Sequence, residues 1–145
     1  MSEPNGAAGE GLVPDIQPQE LQAVMLSERE VQVVDVRTDH EWEAGRLPGA
    51  THIRLDLLPQ RTEDLDREAP IVFYCRGGNR SSMAAQAFRE AGYDVRFLSG
   101  GALAWQEAGL GLDPHGGYVA ESGEAAAELE ARRRKGKSPN PNQVL

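Results

Sequence analysis

Cysteine, lysine and aromatic residues are all scarce in this chain of 145 residues, which has one cysteine, two lysines and eight aromatics. A single cysteine closes no internal disulfide, so a cross-linked secreted scaffold is excluded and the Cys75 thiol is left available for chemistry. An aromatic share of 6% leaves the core to aliphatic side chains. No apolar run nears the ~18 residues of a membrane-crossing helix. The opening Met1-Ser2-Glu3-Pro4 also lacks the basic-then-apolar pattern of a secretory leader. A cytoplasmic protein with no membrane partner is therefore expected. Positive charge is short too: 15 basic against 23 acidic side chains give a formal net charge of -8. That balance repels phosphate backbones and argues against a nucleic-acid partner. Thirteen of the 15 basic residues are arginine, whose planar fork suits oxyanions.

The length fits one domain with tails. Residues 1–11, rich in Gly, Ala and Glu, are expected to be a disordered lead, and the folded domain is expected over 12–112. Pro18 suits the first turn of a helix carrying Leu21, Val24 and Met25. Val31, Val33, Val34 and Val36 predict a strand covered on both faces. A polar helix from Asp39 to Ala44 stops at Gly45, a short strand is expected near Thr51 to Ile53, and Leu55, Leu57 and Leu58 before Pro59 suggest a brief helix. Ile71-Val72-Phe73-Tyr74 predicts a fully apolar strand, followed by a turn and a helix from about Arg80. Met83, Ala84, Ala87, Phe88 and Ala91 share one predicted face of that helix, which Gly92 ends. Val95, Phe97 and Leu98 form a further strand and Ala102 to Ala108 a last helix. The alternation implies an α/β fold with a mostly parallel sheet flanked by helices on both faces. Beyond Asp113 the apolar periodicity fades into a polar tail, 113–145. Within it Glu128, Glu130, Arg132 and Arg134 suit a helix over about 121–135, followed by a mobile end.

A lone cysteine is most often a small buried hydrophobe. Cys75 differs in context, lying at a strand end that is expected to be exposed, in Cys75-Arg76-Gly77-Gly78-Asn79-Arg80-Ser81. Ligands in parallel sheets bind beyond such strand ends. A sulfur there faces the N-terminus of the next helix, whose unpaired N–H groups favour an anion. Gly77 and Gly78 let the chain curl and turn its amides inward, and Arg76 and Arg80 supply forks for the oxygens of an anionic ligand. His40, His52 and His115 are scattered with no second ligand at metal spacing, so no metal is expected. No cofactor is expected either.

Three ordered motifs resemble the rhodanese family. Asp35-Val36-Arg37 with Glu41-Trp42 and Gly45-Arg46-Leu47-Pro48-Gly49-Ala50 is similar to its early signature. Cys75 to Arg80 is similar to its six-residue active loop, and Ser99-Gly100-Gly101 with Ala104-Trp105 and Gly109 to its closing signature. The likeness runs from about Ile16 to Leu110 and implies five mostly parallel strands between helices. It also implies that the Cys75 thiolate takes sulfur from a small anionic donor such as thiosulfate as a persulfide. A thiol, cyanide or an acceptor protein then receives that sulfur. In this reading Arg76 orients the donor and the amides from Arg76 to Ser81 hold the persulfide. Arg46 departs from the histidine common at that place in the family.

Asp35 and Arg37 either support the active loop or form an ion pair that stabilises a strand end. Trp105 reads as core. Three other functions stay in view. A relay carrier would use the same chemistry to deliver sulfur to a partner. A cysteine-dependent phosphatase needs five residues between cysteine and arginine, whereas four separate Cys75 from Arg80. A non-catalytic interaction module would not need Cys75. The sequence leaves the oligomeric state open.

Overall fold

The computed structural model describes residues 13–121. The expected lead over 1–11 and nearly all of the expected helix at 121–135 lie outside the described residues. Five parallel strands form one sheet: β1 (Asp15–Ile16), β2 (Gln32–Asp35), β3 (Thr51–His52), β4 (Ile71–Tyr74) and β5 (Val95–Leu98), in the order β1-β5-β4-β2-β3. Helices α1 (Pro18–Leu26), α2 (Asp39–Ala44), α3 (Asn79–Glu90) and α4 (Gly101–Glu107) connect them, with 3₁₀ turns at Leu55–Gln60 and Thr62–Asp64. Strand β1, two residues paired to β5, is too short to leave a periodic trace in the sequence.

Alternation along the strands divides the core in two. Val34, Phe73, Cys75 and Val95 face one way and pack with Ala84, Ala85 and Phe88 of α3 and with Leu58 and Leu65. Val33, Val72, Tyr74 and Leu98 face the other way, against Leu21 of α1 and Ala102 and Trp105 of α4. Trp105, 1% exposed, donates its indole N–H to Gly111 O at 2.9 Å.

Two expectations are corrected here. The buried face of α3 is Ser81, Ala84, Ala85 and Phe88, while Met83, Ala87 and Ala91 are exposed. The stripe is turned because Ser81 is drawn inward to bond the Gly78 carbonyl and the cysteine sulfur. The packed domain also runs past residue 112, since Val119 and Ala120 are buried and Val119 joins the core cluster of Leu47 and Trp105. Only these two residues of that segment are buried and apolar, which is too few to show as periodicity.

Candidate active site

Cys75 follows β4 directly, and the turn 75–78 leads into α3. Far from lying at an exposed strand end, Cys75 is 1% exposed. The first turn of α4 covers it from behind: Ala102 N–H donates to Cys75 O at 2.8 Å and Leu103 N–H to Arg76 O at 3.0 Å. These are orphan donors of a helix start, and they hold the loop carbonyls outward. The opposite side of the loop then presents amides to the sulfur. Gly78 N–H donates to Sγ at 3.1 Å and Ser81 N–H at 3.4 Å, and the Ser81 hydroxyl lies 3.4 Å from Sγ. Gly78 has φ +116°, a conformation open to glycine, at the N-cap of α3. Of the loop positions expected to surround the sulfur, Gly78 and Ser81 do so through their amides, while Gly77 and Asn79 are exposed.

The two loop arginines are both engaged by carboxylates. Arg80 makes a two-pronged pair with Glu41, Nη1 to Oε1 and Nη2 to Oε2 at 3.0 Å each. Glu41 is fully buried. It also accepts the Thr38 amide at 3.1 Å and hydroxyl at 3.0 Å, the reach-back expected of Thr-x-x-Glu at a helix start. Burial alone would raise this carboxyl, but the bonds from Arg80 and Thr38 outweigh it and hold it at about 2. The same pair raises Arg80, against partial burial and with help from nearby Cys75. Arg76 donates from Nε to Ala120 O at 3.2 Å and from Nη2 to a Glu121 carboxylate oxygen at 2.8 Å.

Asp35 and Arg37 form a fully buried ion pair, with Arg37 Nη2 2.7 Å from Asp35 Oδ2 and also donating to Gly45 O at 2.7 Å. The Arg37 guanidinium lies 5.3 Å from the ring centre of Tyr74, the residue before Cys75. Burial and then the Asp35 charge push the Tyr74 hydroxyl up, and that hydroxyl accepts the Leu47 amide at 3.1 Å. The pair therefore braces the ends of β2 and β4 without touching the sulfur. Arg46 stacks over Trp42 at 4.7 Å and donates to Trp42 O at 3.1 Å, while its backbone bridges Asp113.

Sequence reasoning places Glu41 only within the early family motif, with no role at the loop, and assigns no site role to Glu121. The Thr38-x-x-Glu41 spacing was a signal for Glu41 as a cap, though nothing in it pointed to Arg80. Two surface grooves, of 290 and 520 Å³, lie at the amino ends of the strands, lined in common by Arg29, Glu30 and Val31. They contain no residue of the Cys75 loop and stand at the other end of the sheet from Cys75. Among the described residues no cluster of three or more His, Cys, Asp or Glu is placed to hold a metal, and no helix is long and apolar enough to cross a membrane.

Residues 17–108 match the family model of the rhodanese-like domain. The chain belongs to the rhodanese-like family. A sulfurtransferase of Allochromatium vinosum is 33% identical over 100 residues, spanning 68% of this chain and 94% of that protein. Among solved structures, thiosulfate sulfurtransferase from Pseudomonas aeruginosa superposes with a TM-score of 0.66 at 25% identity, covering 86% of this chain and 26% of that one. A Rhodopseudomonas palustris protein of unknown function, described as a possible tyrosine phosphatase, gives a TM-score of 0.62 at 29% identity, with 70% and 85% covered. The rhodanese-like fold of five parallel strands between helices, expected from the motifs, is thus the observed one, and sulfurtransferases are among its relatives.

Proposed function

We propose that the protein is a sulfurtransferase that carries sulfane sulfur as a persulfide on Cys75. The observation that supports this most is the sulfur's setting: the backbone amides of Gly78 and Ser81 both donate to Cys75 Sγ at the start of α3. Such a cradle stabilises an anionic sulfur without a general base. The thiolate attacks the outer sulfur of thiosulfate or a related donor, the donor's S–S bond breaks, and sulfite leaves with the bonding pair. A thiol, cyanide or an acceptor protein then attacks the outer sulfur of the persulfide and releases the Cys75 thiolate. Gly78 and Ser81 hold the charge, Arg80 is fixed by Glu41 at the loop's far end, and Arg76 flanks the donor. A reducing cytoplasm suits this reading, because a lone thiol stays free there.

The phosphatase-like neighbour makes phosphoryl transfer the second reading. Against it stands the loop, with four residues between Cys75 and Arg80 and an Arg80 fork already filled by Glu41. Turnover decides between them. The expected result is thiocyanate from thiosulfate and cyanide with no hydrolysis of aryl phosphates. The reverse result overturns the proposal. Persulfide formation with slow turnover on cyanide and small thiols would assign the protein to a relay rather than to free catalysis.

A further inference from the structure

Residues 113–121 return across the domain after α4 and end against the Cys75 loop. Arg46 and Asp113 exchange backbone bonds of 2.8 Å in each direction, Tyr118 N–H donates to Ala44 O at 3.0 Å, and Val119 N–H donates to Gln106 Oε1 at 3.1 Å. A Cβ added to Gly45 would stand 2.5 Å from the Tyr118 carbonyl oxygen, so glycine at that place makes room for the segment. With Val119 and Ala120 buried, the segment has one seat, and that seat delivers Glu121 to Arg76.

The bonds from Arg76 to Ala120 O and Glu121 use Nε and Nη2. That is an edge by which a guanidinium grips an oxyanion with two parallel bonds. A dianionic donor has to displace the chain's own carboxylate to use it, whereas a donor without an anionic head group has no such competitor. We propose that Glu121, acting through Arg76, is a specificity residue that turns the site away from small dianionic donors and towards persulfides on uncharged carriers. This rests on the sulfur-transfer reading above. In the favoured step the Cys75 thiolate attacks the outer sulfur of R–S–SH, the new S–S bond forms and the old one breaks. The carrier leaves with the electron pair and takes up the proton of the transferred sulfur, giving RSH and an anionic persulfide on Cys75.

Glu121 is 66% exposed and Arg76 24%, so the competition is modest. The test compares Glu121→Gln with the wild-type chain on thiosulfate and on an alkyl hydropersulfide with no other ionisable group. The substitution is expected to lower KM for thiosulfate about two- to fivefold at unchanged kcat, the size of an exposed ion pair. The ratio of kcat/KM for thiosulfate to that for the hydropersulfide then rises by the same factor, and the rise shrinks as salt is added. A ratio that stays constant overturns the inference, whether both donors improve together or neither changes. If the wild-type chain takes sulfur from neither donor, the sulfur-transfer reading falls as well. Sulfur uptake from both donors with a constant ratio removes only the role of Glu121.

Discussion

At the residue scale the pair between Arg80 and Glu41 fixes the far end of the loop, and its strength depends on one carboxyl staying ionised. Glu41 is held at about 2 in the fold against an ordinary value of 4.5. Its contribution is therefore complete above about 4.5 and disappears as the pH falls towards about 2. Glu41→Gln is expected to cost about 1–3 kcal/mol at neutral pH, because it leaves the partly buried Arg80 charge without its counter-ion. The urea midpoints of the variant and the wild type should then converge as the pH is lowered through that window. A gap that stays constant would mean that Glu41 stabilises the domain in some other way. The partnership was hidden in the sequence because the two side chains lie 39 positions apart. Cys75, Gly78 and Ser81 were readable because strand, turn and helix start follow one another without interruption.

At the scale of the element, the loop takes its shape from the close approach of α4. Gly101 has φ +63°, and a Cβ there would lie 2.6 Å from the Cys75 carbonyl oxygen and closer still to that of Arg76. Gly101→Ala is expected to destabilise the fold by about 2–4 kcal/mol through backbone strain and overlap. It should also slow sulfur transfer about tenfold or more by displacing the amides. Gly77→Ala is the contrast. Gly77 has no positive φ, and an added Cβ meets nothing within 4 Å, so the unfolding free energy of Gly77→Ala should differ from the wild type by less than about 0.5 kcal/mol. Urea titration and the rate of thiocyanate formation check both, and equal effects would contradict this division between the two glycines. The sequence marks Gly77-Gly78 as a turn and places Gly100-Gly101 in the closing family motif. Which glycine is required depends on a contact between α4 and the loop that no local pattern records. The turned face of α3 has the same kind of origin, since Ser81, polar by type, is buried by its bonds to Gly78 and Cys75.

Over the whole molecule, the alternation of short apolar strands with helices was enough to specify a parallel sheet covered on both faces, and the family motifs supplied its five strands. The segment 113–121 was not legible, because its hold on the domain comes from backbone bonds to Ala44 and Arg46, from Gln106 and Arg76 side chains distant in sequence, and from two buried apolar residues. That segment and α2 each bring a carboxylate to one loop arginine, Glu121 to Arg76 and Glu41 to Arg80. With a net charge of -8, the chain as a whole repels an approaching anion. In the proposed reaction, sulfur capture thus rests on the short-range cradle around Cys75 rather than on long-range attraction. Intact mass after exposure to thiosulfate, and in parallel to an alkyl hydropersulfide, tests that cradle most directly. The expected result is a gain of one sulfur atom on the wild-type chain, reversed by a thiol reductant and absent from a folded Cys75→Ser variant. No gain from either donor, or a gain that persists in Cys75→Ser, would contradict a persulfide carried on Cys75.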